Sequence, residues 1–365
     1  MQTLSAEDFD KVVSKLAEFI RYCQRLKPED SYLIVNRNSP ALTEAALKAA
    51  QNCRLNVKRL DLSADKPYKH FPEELLKLLR ERTPKGGMGL FDYSEHPDWS
   101  LKELGARIEL LFEIIEEVPI SWAHSPGITL DMAVNGPLQC DYKALAEEAE
   151  MMLQKLQDVK ELHITAPSGA NIKITIPEIV KFETDCIIVP PNVYGKPGKF
   201  GNLPVGEVWA EKGKFIEVQD KETGKKVTQH YPVKLVADGT WVCDVCIGGY
   251  HGRIDPEKLI TVEFKAGVVT DFRCDDPGPR SVFEEMLATQ RRYSLPTVLE
   301  EVGIGLNEKA RVTGNMLEDE KLRGTCHLAL GNIRYHADML VDKPTIEATY
   351  TSGVTKEIMK NGVMI

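Results

Sequence analysis

The feature that most constrains this chain is the alternation of short apolar runs with amphipathic stretches across its first 124 residues. Residues 6–26 place Val12, Leu16, Phe19, Ile20 and Cys23 at three- and four-residue steps, the period of a helix with one buried face. Lys27-Pro28 then stops it. SYLIVN (31–36) is a run of buried-strand type, NSPALTEAALKAAQNC a helix capped by Ser39 or Thr43, and NVKRLDL (56–62) a second strand. HFPEELLKLLRER (70–82) reads as a helix with Pro just inside its start. GMGLFDYS (87–94) reads as a strand, 101–118 as a helix and PISWAH (119–124) as a fourth strand. Strand and helix alternating at this spacing predict a parallel sheet with helices on both faces. Neither G-x-G-x-x-G nor GxxxxGK[ST] occurs, so no nucleotide is assigned to this part.

A second long helix follows HSPGITLDM, and near Asp158 the pattern changes. KELHITAPSGANIKITIP (160–177) alternates around a tight PSGAN turn, which is a hairpin signal. Beyond it, KFIEVQD, KKVTQHYPVKLVADGTWVCDVCIGG and LITVEFKAGVVTDFRC are strand-rich, with turn pairs such as Asp238-Gly239 and Ala266-Gly267. One helix, 281–293, interrupts them. The expected organisation is an α/β domain with a parallel sheet over 1–157, then a mostly antiparallel, β-rich (α+β) domain over 158–365.

A formal net charge of −9 argues against nucleic acid or an anionic membrane as partner. No stretch approaches the roughly 18 apolar residues of a membrane-crossing helix. The opening MQTLSAEDFDKVVSKL carries acids where a signal peptide carries bases, so a cytoplasmic location is expected. In that compartment the eight cysteines are free thiols. Cys243 and Cys246 form a CxxC without closing ligands, and on an alternating strand they leave opposite faces, so the pair is not read as a zinc site.

Metal-binding chemistry concentrates between Leu299 and Asp338, where Glu301, His327, His336 and Asp338 fall. His336 and Asp338 are two apart, so on an extended strand both leave the same face and can converge on one ion. Glu301 precedes Gly303 and Gly305 in the turn-prone VGIGLN, and His327 sits in the apolar CHLALG. Glu207 opens a strand behind the Pro204–Gly206 turn and joins the group only if the fold carries it there. Glu318, Asp319 and Glu320 read as a solvated charge run, with one of them available to support His327. His124 and His251 are taken as structural or surface groups.

NLPVGEVW, DGTWVCDVCIGG, LEEVGIGLN, NMLEDEKLRGTCHLALG and HADMLVDKPTIE, in this order, resemble the thermophilic-type metallo-aminopeptidases, the family of aminopeptidase T and aminopeptidase S. The resemblance implies a metalloprotease-type hydrolase that removes N-terminal residues from short peptides or cleaves small amides with a metal-activated water. It implies Glu207, Glu301, His327, His336 and Asp338 as ligands of two divalent ions (Zn, Co or Mn), with Glu301 as the bridge, and a homodimeric assembly. The family's Tyr, seven residues after its His, falls here on Arg334; Tyr335 is the nearest Tyr and, with Glu301, is the catalytic expectation. The segment between HLALG and HAD is shorter than in the family. The 2,5-dihydroxypyridine ring-cleaving dioxygenases resemble the same superfamily. They imply an alternative: one Fe(II) held by two His and a carboxylate, available here from His327, His336 and Asp338.

Overall fold

The computed structural model describes residues 4–65, 73–82, 84–95, 114–250, 252–332 and 335–365. They form two compact units, one of Met1–Glu150, Thr184–Gly206 and Asn307–Arg311, the other of Met151–Glu183, Glu207–Leu306 and Val312–Ile365.

The first unit holds β1 (Ser31–Arg37), β2 (Asn56–Asp61), β3 (Gly86–Phe91), β4 (Ser121–Pro126) and β5 (Lys199–Asn202), in the order β2-β1-β3-β4-β5. Every pairing is parallel. The first four strands are those expected to build this sheet, three of them apolar runs and β2 a polar, largely exposed edge. β1 is buried beyond its first residue and β3 throughout, as strands covered on both faces must be. Helix α1 (Ala6–Tyr22) precedes β1, α2 (Pro40–Asn52) lies between β1 and β2 and α3 (Glu73–Arg82) between β2 and β3, and α4 (Tyr142–Leu156) is the later long helix. The start of the expected 101–118 helix lies outside the described residues; 114–117 are helical.

Two local readings change. α1 stops at Tyr22, because the chain reverses through Arg25 (φ 52°) and the buried Gln24 amide turns inward, donating to the Gly87 and Ser121 carbonyls at 3.0 Å. Ser39 holds the N-cap position of α2 without a side-chain cap; instead the Thr43 hydroxyl donates to the Ser39 carbonyl at 2.7 Å.

The second unit is organised around one sheet of thirteen strands among the described residues, paired antiparallel where its registers are recorded. The hairpin Val159–Thr165 and Asn171–Thr175 lies where the PSGAN turn places it. Four strands matter for the site: β6 (Glu207–Glu211), β7 (Val298–Gly305), β8 (Thr325–Asn332) and β9 (Tyr335–Asp342). β7 pairs with β8 along most of its length and with β6 over Val302–Gly305; β8 pairs in turn with β9. Helix α5 (Pro277–Tyr293) starts four residues before the periodicity alone suggests, because the Asp276 carboxylate accepts from the Gly278 N–H and Pro277 fits the first turn. Together the units make a mixed α/β protein, a parallel sheet with helices and a large antiparallel region.

All eight cysteines are free thiols. The strand Val236–Cys243 ends at Cys243, and both Cys243 and Cys246 are buried. Among the described residues no helix is long and apolar enough to cross a membrane.

Candidate metal centre

Residues directly opposite on antiparallel strands project from the same face. Here that rule gathers the site. Gly305 faces Glu207, and Gly303 lies between Trp209 and His327. Glu301 faces Ala329, which faces Asp338; Gly331 faces His336. All of these share one side of the sheet. Strict alternation would send Glu300 to the other side. The register slips by one between Leu299 and Glu301, however, since Leu299 faces Leu330 and Glu301 faces Ala329. This β-bulge turns Glu300 to the same face as its neighbour.

Glycines clear the space these side chains need. A Cβ at Gly303 would overlap the His327 imidazole, and one at Gly331 would overlap the Glu300 carboxylate. A Cβ at Gly305 would strike the Leu322 backbone. The bare strand therefore lets the turn around the short helix Met316–Asp319 pack directly on β7. That packing seats Lys321, fully buried, against Glu207 and at 2.7 Å from Glu320 Oε1.

His327 Nε2 is 3.0 Å from Glu301 Oε1 and 3.4 Å from Glu207 Oε2. His336 Nε2 is 3.3 Å from Asp338 Oδ1 and 3.8 Å from Glu301 Oε2, while its Nδ1 is 3.1 Å from Glu300 Oε2. Three sets of potential ligand atoms, each mutually within 4.8 Å, result: Glu207, Glu301 and His327; Glu301, His336 and Asp338; Glu211, Glu300 and His336. Glu301 belongs to two of them. His336 keeps an edge open, its side chain 39% exposed, whereas His327 is sealed.

The electrostatics follow from crowding acids out of water. Burial, then the neighbouring Glu211, pushes Glu301 well above the usual carboxylate range. Burial and Glu300 raise Glu211 to about 7, and Glu211 and Glu301 share a hydrogen bond. Burial drives His327 down to about 4, so its ring is neutral at pH 7. For His336 burial acts in the opposite direction to Asp338 and Glu300, and the two carboxylates prevail, raising it well above the ordinary imidazole range. Burial likewise opposes ionisation of Asp338, but the His336 charge outweighs it and holds the acid at about 2.

The five residues expected as ligands are thus brought together. Tyr335 opens β9 next to His336; its side chain, and all of Arg334, lie outside what is described. Sequence reasoning passed over Glu211, Glu300 and Lys321. Glu211 carried a readable signal, since in EVWAE it shares the face of Glu207. One reading is corrected: the run Glu318–Glu320 is not solvated. Glu318 and Asp319 are buried, and Asp319 accepts from the Thr313 N–H at 2.8 Å, the Thr313 hydroxyl at 3.0 Å and the Gly314 N–H at 2.9 Å. His124 is buried in the first unit with its ring centroid 5.7 Å from that of Phe91, a packing role; His251 lies outside the described residues.

The donor set fits a divalent cation. Carboxylate oxygen and imidazole nitrogen are what Zn²⁺, Mn²⁺, Co²⁺ and Fe²⁺ accept. Five acids (Glu207, Glu211, Glu300, Glu301 and Asp338) face one another, four of them buried. Such an array is stabilised by positive charge among its oxygens.

No protein-family model matches the chain, and no curated protein matches it. Among solved structures it is similar to 2,5-dihydroxypyridine dioxygenase from Pseudomonas putida KT2440, with a TM-score of 0.62 and 14% identity over 98% of this chain and 97% of that one. It is also similar to wild-type AmpT from Thermus thermophilus, with a TM-score of 0.57 and 14% identity over 98% of this chain and all of the other, 100%. At this identity the likeness is one of fold, and it runs the length of all three chains.

Proposed function

We propose that this chain is a divalent-metal-dependent hydrolase of the aminopeptidase kind, which removes the N-terminal residue of a short peptide or cleaves a small amide. The observation that carries the reading is Glu301, whose two oxygens serve separate ligand groups in a site dominated by carboxylates. The fold shared with an aminopeptidase and a dioxygenase supports an enzyme. A divalent ion held by these residues supplies Lewis acidity and an activated water.

The chain's own residues do the rest. Glu301, His336 and Asp338 hold the ion at the open side of the site, where the His336 edge meets solvent. Glu211, beside Glu300 and His336, takes the proton of the attacking water on a carboxylate oxygen and returns it to the departing amine. His327 fixes Glu301 through Nε2. The surplus of acids suits the ammonium of a peptide N-terminus. A homodimer in the cytoplasm goes with this reading, and sedimentation and cell fractionation test both.

The alternative Fe(II) oxygenase needs two histidines and one carboxylate around a single ion. Here His327 and His336 fall in separate groups, each among carboxylates, which favours the hydrolase. The test is anaerobic purification with elemental analysis, followed by parallel assays. Chelator-sensitive release of amine from amino-acid amides or dipeptides supports the proposal. Iron, with oxygen uptake on dihydroxypyridines and no amide turnover, overturns it.

A further inference from the structure

Resting on the metal-centre reading above, we infer that Lys321 is a built-in cation occupying the place of a second metal ion, so that the chain binds one divalent ion, at Glu301, His336 and Asp338. The two-ion arrangement implied by the family resemblance needs Glu207 and His327 to hold the second ion together with Glu301. In this chain the Lys321 ammonium already sits on Glu207 Oε1, with no exposure to solvent, and it also meets Glu320 Oε1 at 2.7 Å. It is not a passing surface charge. Gly305 admits the Leu322 backbone against β7, and Glu207 is the residue paired with Gly305, so the chain trace delivers Lys321 to that carboxylate.

Two positive charges within a few Å in a buried site repel strongly, because little solvent screens them. A divalent ion at Glu207 and His327 must therefore displace a fully buried ammonium or sit against it. The Glu301, His336 and Asp338 group is held by pairs between its own carboxylates and imidazole, while the Lys321 ammonium pairs with Glu207 and bears on Asp338 as a nearby charge; the group also has the solvent-facing edge through which an ion enters. The arrangement keeps two cations among the acids, one unit of positive charge short of two divalent ions, while leaving one exchangeable ion. Lys321 then acts as a positioning residue: it holds Glu207 next to His327, which in turn holds Glu301.

The test is metal stoichiometry, read without reference to turnover. Metal-free full-length protein is titrated with Zn²⁺ and Mn²⁺ by calorimetry, and ions per chain are counted by elemental analysis after gel filtration. One ion per wild-type chain is expected, and two in Lys321→Met, with the second site tightened about tenfold or more. Asp338→Asn should lose the single ion and Glu207→Gln should keep it, which locates the ion even if Lys321→Met does not fold. Two ions of similar affinity in the wild type overturn the inference and leave the hydrolase reading standing. So does one ion in a folded Lys321→Met, or loss of the ion in Glu207→Gln with retention in Asp338→Asn. No metal bound by the wild type at all overturns both the inference and the proposed function.

Discussion

The His327 imidazole lies over Gly303, its directly opposite residue on β7, in the volume that a side chain there would fill. His327 is fully buried and its Nε2 meets Glu301 Oε1 at 3.0 Å, so this vacancy on the strand sets where Glu301 points. In Gly303→Ala the ring must move. Overpacking of this kind costs about 1–3 kcal/mol. Losing the group that orients a ligand typically weakens metal binding by roughly 10–100-fold. Denaturation midpoints and a zinc titration of the variant check both; wild-type affinity would show that Glu301 does not need the ring.

His336→Ala tests the assignment of the ion. The ring is partly exposed, so its removal opens no sealed cavity, and the circular dichroism spectrum should stay that of the wild type. Metal affinity should fall by at least about tenfold, the value of one ligand-level interaction on a logarithmic scale, and turnover of amides should vanish. Full activity with full metal content would remove His336 from the site.

Trp241 ties β9 to the rest of its sheet. Its buried indole N–H donates to the Met339 carbonyl at 3.0 Å, one residue beyond Asp338. Trp241→Phe leaves that carbonyl without its donor and removes ring volume. A loss of about 1–3 kcal/mol from the unpaired group is expected, plus a cavity cost. Urea unfolding monitored by far-UV circular dichroism measures it, and a change below the error of the method would contradict the role.

The pH dependence of the metal-free protein carries a signature of His327. Burial lowers its folded pKa to about 4, against an ordinary value of 6.5. Between these values the unfolded chain binds a proton that the folded protein refuses. The contribution is therefore full above about pH 6.5 and is lost as pH falls toward 4. Glu301 and Glu211, raised by burial, act with the opposite sign, so the informative quantity is the difference between wild type and His327→Gln. Chelator-treated wild type should lose more stability than the variant between pH 7 and pH 4.5. Parallel curves would mean that His327 is protonated in the folded state.

The chain's own order carried the architecture and part of the site. The apolar runs of β1, β3 and β4 are long enough, and the neighbouring helices amphipathic enough, that burial on both faces leaves a parallel sheet as the outcome, with the polar, largely exposed β2 at its edge. His336 and Asp338 were legible as a pair because a two-residue spacing on a strand has only one geometric meaning. Glu211 was legible by the same rule from Glu207. What lay beyond reach were relations between segments distant in sequence, or exceptions to alternation. Glu300 reaches His336 only because a bulge breaks the period of two. Lys321 reaches Glu207 across 114 positions because Gly305 lets a turn pack on bare backbone. The acids of Glu318–Glu320 looked solvated because charge in a sequence is ordinarily charge in water. Their burial depends on partners, the Thr313 and Gly314 amides and Lys321, that only the folded chain supplies. Periodicity is a local property and survives in the sequence; register slips, backbone clearances and ion pairs are set by which strands meet, and that is decided in three dimensions.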